Sequence, residues 1–151
     1  MKKILRFLVI LLPWFIGGIL FRSDSTYYNN LVKPFFAPPG FLFAIIWPIL
    51  YILIAISIYK VFLNNNFNET KKYNQALLIN YFSNQVFSFL FFTIRSPFFA
   101  LIDTIIVFIS SLFLYCETNE LDEDASKYLI PYIAWNAFAC VLIVSVFFFN
   151  I

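Results

Sequence analysis

The 151-residue sequence contains no histidine, an absence that closes off both imidazole catalysis and histidine ligation of a haem iron. Charge is almost as scarce. Charged residues make up 12% of the chain against 62% hydrophobic, too little polar surface to cover a water-soluble fold. The net charge of +2, with no basic cluster, leaves no footprint for nucleic acid. Cys116 and Cys140 lie in apolar runs and form no metal-ligand spacing, so they read as small buried hydrophobes and no metal site is expected. No acid–base pair or nucleophile constellation stands out, and no internal repeat is visible.

What the chain has is apolar length and aromatic rings, the latter 23% of all residues. Five apolar runs, about 4–21, 41–63, 76–94, 98–116 and 128–150, each approach the ~20 residues an α-helix needs to cross a hydrocarbon layer. Barrel strands would be about half as long and would alternate polar with apolar residues. The expectation is an all-α membrane protein, a single domain over residues 1–151 built as a five-transmembrane-helix bundle.

Lys2, Lys3 and Arg6 ahead of an apolar stretch also suit a secretory signal, but no small-residue cleavage pattern follows, so the first helix is expected to be retained. Placing the N-terminus in the cytoplasm puts Lys2, Lys3, Arg6, Lys60, Lys71, Lys72 and Lys127 inside and Arg22, Lys33 and Arg95 outside, as the positive-inside bias favours. The segment 22–40 is rich in proline and reads as a structured loop able to fold over the mouth of a bundle, with Tyr28 and Pro38 above the opening. The segment 64–75 reads as a polar linker.

Several residues fall on shared helix faces. Trp47, Tyr51 and Ala55 recur at four-residue intervals, so they would form a wall on which a flat ligand could stack. Asn80, Asn84, Phe87, Ser88 and Phe91 share another face, and their polar groups must point inward because an unpaired amide facing lipid costs several kcal/mol. Ligand contact and inter-helix hydrogen bonding explain them equally well. Asp103 is the one carboxylate inside an apolar run, which marks it as paired or functional, with Arg95 as a candidate partner. Trp135, Phe138, Ala139 and Leu142 form a face of the last helix, so Trp135 could oppose Trp47 across a cavity. Gly17-Gly18, Ala55 and Ser57 would permit close helix contacts of the kind that serve a homodimer.

These patterns together resemble the TspO/MBR family, the tryptophan-rich sensory and translocator proteins. The loop Lys33-Pro34 to Pro38-Pro39 is similar to the family's K-P-x-x-x-P-P, and Trp47 to Tyr51 to its W-x-x-L-Y. Asn84, Ser88, Phe91 and Phe92 match N-x-x-W-S-x-x-F-F with Phe87 in place of tryptophan, and Asn80 stands where glutamine is usual. Ala100-Leu101-Ile102-Asp103 matches A-L-x-D, Arg95 is also matched, and Pro131, Tyr132, Trp135, Phe138 and Ala139 match the closing P-Y-x-x-W-x-x-F-A. Tyr27, Phe36 and Phe99 also replace tryptophans, and Ile143 an asparagine.

The resemblance implies a pocket for protoporphyrin IX, a haem-like tetrapyrrole or another flat apolar molecule, lined by Tyr28, Pro38, Trp47, Tyr51, Asn84, Phe87, Ser88, Trp135, Phe138 and Ala139. Asn80, Arg95 and Asp103 would be structural or linked to ligand. A sensory or stress-regulatory role, light-dependent porphyrin degradation and transport are the readings it leaves open. With no histidine, a porphyrin would be held by stacking, hydrogen bonds and shape, or by a weaker ligand such as tyrosine or cysteine. The cholesterol-recognition pattern is missing, since residues 140–151 hold neither the tyrosine nor the basic residue it needs.

Overall fold

The computed structural model describes residues 2–65 and 70–151. Among these residues all regular structure is helical, and five helices are long and apolar enough to cross a membrane. They are α1 (Lys2–Leu20), α3 (Gly40–Asn64), α4 (Lys71–Thr93), α5 (Pro97–Leu121) and a last span, Glu123–Phe149. That last span divides at Tyr128-Leu129 into α6 (Glu123–Lys127) and α7 (Ile130–Phe149). The loop after α1 carries the short helix α2 (Ser25–Asn30).

Proline and capping residues set the boundaries. Pro13 has no amide to give the preceding turn, and α1 tightens there into a 3-10 segment, Leu12–Phe15, before resuming. Pro39 stands just before α3, Pro97 occupies the first turn of α5 and Pro131 that of α7, positions where a missing N–H costs nothing. The Ser96 hydroxyl accepts from the Phe99 amide and the Asp122 carboxylate from the Ala125 amide, capping α5 and α6. The α4 helix starts five residues before the apolar run expected at 76, so residues 71–75 are helix rather than linker; residues 66–69 of that expected linker lie outside the described residues. Apolarity marks the part of a helix in lipid, while the helix itself continues into the polar layer. The same reason carries α5 on to Leu121, beyond the expected 116.

Two apolar clusters fill the bundle. One, including Ile54, Val61, Tyr73, Leu114, Leu129 and Tyr132, makes a solid core at the end where α3 and α5 finish. The other gathers Tyr28, Phe91, Ala100, Leu142, Ile143 and Val146 at the opposite end, under the 22–40 loop.

Of the small residues expected to permit close helix contacts, Gly17, Ala55 and Ser57 are used within the chain, while Gly18 is exposed. The Gly17 amide donates to Gln85 Oε1 at 2.6 Å, and a Cβ at Gly17 would stand 2.8 Å from the Gln85 carbonyl oxygen, so only glycine allows α1 this close to α4. Ala55 and Ser57 are buried in the chain's own core.

Candidate functional site

A cavity of about 410 Å³ lies in the half of the bundle beneath the 22–40 loop. That is within the roughly 300–1,000 Å³ of small-molecule pockets. All five spans contribute to its wall: Phe15 and Gly18 from α1, Phe43, Trp47 and Tyr51 from α3, Asn84, Phe87, Ser88 and Phe91 from α4, Thr104 and Val107 from α5, Trp135, Asn136 and Ala139 from α7. Ser23, Asp24, Ser25 and Tyr28 line it from the loop.

Trp47 and Trp135 both line this cavity. The Trp47 ring lies 5.5 Å from that of Tyr51, and the Trp135 ring 5.8 Å from Phe43 and 5.3 Å from Phe138. Phe87 and Phe91 stack at 5.5 Å with planes 15° apart. Two breaks in regular helix sit in the wall. Pro48 removes the amide that would bond the Ala44 carbonyl, and both residues line the cavity. The last turn of α4, Phe89–Thr93, is π-helical and carries Phe91 and Phe92 into the wall.

Beneath the cavity a hydrogen-bond network ties the spans together. Tyr51 Oη donates to Asn84 Oδ1 (3.1 Å), Asn84 Nδ2 to Tyr132 Oη (3.3 Å), and Tyr132 Oη to Asn80 Oδ1 (3.1 Å). Asn80 Nδ2 then donates to Ser110 Oγ at 2.9 Å and to the Val107 carbonyl at 3.2 Å. Gln85 Nε2 reaches the Trp14 carbonyl at 3.3 Å, which brings in α1. Within this network the amides and phenols answer one another, as an apolar surrounding requires, while Asn136 Nδ2 and Trp135 Nε1 in the cavity wall have no partner.

The loop is fastened at several points. Asp24 caps α2 by accepting from the Tyr27 amide at 3.0 Å, and its other oxygen accepts from Arg95 Nη2 at 2.8 Å. The Tyr27 amide and then Arg95 hold the Asp24 carboxyl below the usual carboxylate range. Lys33 Nζ donates to the carbonyls of Tyr28, Asn29 and Leu31 at 2.6, 3.1 and 3.1 Å, closing the C-terminal end of α2. Tyr28 is buried, which pushes its phenol up, and its Oη donates to the Pro38 carbonyl at 2.8 Å.

Eight of the ten residues expected in the pocket line it: Tyr28, Trp47, Tyr51, Asn84, Phe87, Ser88, Trp135 and Ala139. Pro38 and Phe138 do not. Pro38 acts through its carbonyl on Tyr28, and Phe138, three residues after Trp135, turns toward the loop, where its ring meets Phe36 at 6.3 Å. Ala55 lies about 12 Å of helix axis beyond Trp47, fully buried and outside the residues that line the cavity. Asn80 serves the network below. Arg95 pairs with Asp24 instead of Asp103, because the connection between α4 and α5 places it at the loop and not in the bundle. Asp103 is buried with Oδ2 unpaired, outside the lining residues. The sequence reading missed Trp14, Gln85 and Asn136; the polar pair could have been flagged as amides in apolar helices, but Trp14 carries no such signal.

Five spans around an aromatic-walled cavity, closed by packing at one end and by a fastened proline-rich loop at the other, define a small integral multi-pass membrane protein with an internal pocket. The chain belongs to the TspO/MBR family, whose profile matches residues 6–149. It is 34% identical to the tryptophan-rich protein TspO of Bacillus cereus over 137 residues, covering 91% of this chain and 89% of the relative. It is 36% identical to YtaB of Bacillus subtilis, an uncharacterised membrane protein, over 146 residues and 94% of each chain. The tryptophan-rich protein TspO of Archaeoglobus fulgidus is 30% identical over 155 residues, covering 99% of this chain and 97% of the relative.

Proposed function

We propose that the cavity binds a flat, largely apolar molecule of tetrapyrrole type, such as protoporphyrin IX, and that binding serves a sensory or stress-regulatory role in the cell membrane. The observation that carries this reading is the convergence of Trp47 and Trp135 on one cavity with few polar groups in its wall. Two indoles in one wall offer stacking surfaces to a macrocycle, each worth ~0.5–1.5 kcal/mol beyond area burial, and Asn84 and Ser88 supply polar contacts. The solid core at the other end favours a binding pocket over a pore. The charge distribution supports a cytoplasmic N-terminus.

Titrating the purified protein with protoporphyrin IX tests the reading: tryptophan fluorescence should be quenched, and the Trp47→Phe/Trp135→Phe double variant should bind about fivefold to a hundredfold more weakly. Unchanged affinity in that variant would place the site elsewhere. Light-dependent porphyrin degradation is the second reading, favoured by the oxidisable rings that lead away from the cavity: Trp47 to Tyr51, then Trp14 at 5.7 Å and Tyr81 at 5.2 Å. Porphyrin decay under light that is equally fast with and without Trp47 and Trp135 would remove it.

A further inference from the structure

The segment that joins α2 to α3 descends along α7 instead of arching over it. Val32 is held at the end of α7 by two reciprocal hydrogen bonds with Asn150, 3.0 Å from its amide to Oδ1 and 2.9 Å from Nδ2 to its carbonyl. Four residues later the Phe36 ring meets Phe138 at 6.3 Å. Twelve positions separate Phe138 from Asn150 (150 − 138 = 12), about 18 Å of helix axis. The whole of α7, at 20 residues, is about 30 Å long, close to the thickness of a hydrocarbon layer. Phe36 therefore reaches toward the middle of that layer, and Phe35 stands between the two levels.

Phe35 is 101% exposed, with only an edge contact to Phe36 at 5.5 Å, and it does not line the cavity. Phe41 and Ile45 near the start of α3 and Phe148 and Phe149 near the end of α7 are likewise exposed apolar residues, as spans facing lipid require. Irregular backbone at this depth is normally excluded by its unpaired polar groups. Here Pro34, Pro38 and Pro39 carry no amide hydrogen, the Val32 amide and carbonyl are bonded to Asn150, and the Ala37 amide donates to the Pro34 carbonyl at 3.0 Å. The Pro38 carbonyl takes the Tyr28 hydroxyl. These missing donors and bonds lower the cost of placing the segment at that depth, with the Lys33, Phe35 and Phe36 amides the ones left without a partner among the described residues.

We infer that residues 32–36 form a re-entrant segment that enters the membrane from its interface at Val32, and that Phe35 is an anchor inserted among the lipid acyl chains beside α3 and α7. The partner of this surface is the bilayer itself. Since the same loop carries Tyr28 and Pro38, the roof of the cavity rests on lipid.

The test uses full-length chain in phosphatidylcholine nanodiscs, with Cys116→Ser and Cys140→Ala as background and nitroxide labels at Phe35→Cys and Val32→Cys. Asn29→Cys, exposed on α2, and Ile45→Cys, exposed on α3, are the aqueous and lipid references. The label at 35 should be relaxed by oxygen and shielded from a water-soluble nickel chelate, as at 45, with the label at 32 intermediate. Nickel access equal to that at 29 overturns the proposal. So does shielding from both reagents, which would mean a protein cover. Hydroxyl-radical footprinting of the unsubstituted chain needs no variant: Phe35 should resist oxidation in nanodiscs, and ready oxidation there would equally overturn the inference.

Discussion

Gly17 and Gly18 are adjacent in sequence and opposite in consequence. A methyl group at Gly17 collides with the Gln85 backbone, whereas one at Gly18 meets nothing within 4 Å. Gly17→Ala should therefore lower the detergent melting temperature, with a cost of about 1–3 kcal/mol, while Gly18→Ala leaves it unchanged; thermal unfolding of the two variants side by side is the check. Asp103 makes the opposite case. With Oδ2 buried and no ion pair, its charge has nothing to answer it, so Asp103→Asn should match or exceed the parent in thermostability. A clear loss in the Asn variant would reveal a partner that the charge serves. Asp24 both caps α2 and pairs with Arg95, so Asp24→Asn should keep the cap and lose only the ion pair, and Asp24→Ala should lose both. Its carboxyl is held below its unfolded value near 3.9. The stabilisation is therefore present above that pH and is lost as pH falls through the lower folded value. Amide exchange of residues 25–30 should accelerate in that acid window in the parent and show no such step in Asp24→Asn.

At the scale of elements, the sequence reading succeeded where lipid alone decides the pattern. The α3 helix spans Gly40–Asn64 against an expected 41–63, because Pro39 and the Asn64-Asn65 pair bound an uninterrupted apolar run. It fell short where helix and membrane part company, at the polar first turns of α4 and the last turns of α5. Helical spacing puts Trp47, Tyr51 and Asn84 on faces that line the cavity but cannot measure depth, so the expected wall extends to Ala55, which lies beneath it. For Asn80 spacing leaves ligand contact and inter-helix bonding open, and its bonds to Ser110 and Val107 are of the second kind. Contacts across helices, such as Gln85 with Gly17 and Trp14, leave no periodic trace at all. The 22–40 loop was legible as structured because of its prolines, yet the partners that fasten it are distant in sequence. Asn150→Leu removes the pair of bonds to Val32. It should raise hydrogen exchange across residues 31–39 while leaving helix content unchanged, and unaltered exchange would show that Lys33 and Tyr28 suffice to hold the loop.

For the whole molecule, the two ends of the bundle differ: one is filled, the other holds the cavity. Substitutions in the filled end, such as Leu114→Ala, should cost about 2–5 kcal/mol of stability and leave protoporphyrin affinity within a few-fold; Trp47→Phe should show the reverse. Melting temperature and fluorescence titration on the same samples separate the two. The bond between Val32 and Asn150 bridges 118 positions. At ribosomal rates of ~5–20 residues per second, about 6–24 s pass between synthesis of one partner and of the other. Through that interval α1, the loop and α3 wait in the membrane or its insertion machinery without the helix that completes the pocket. Any factor that shields aromatic surface on nascent spans would have its main work in those seconds, and chains arrested before residue 150 should be the ones it retains.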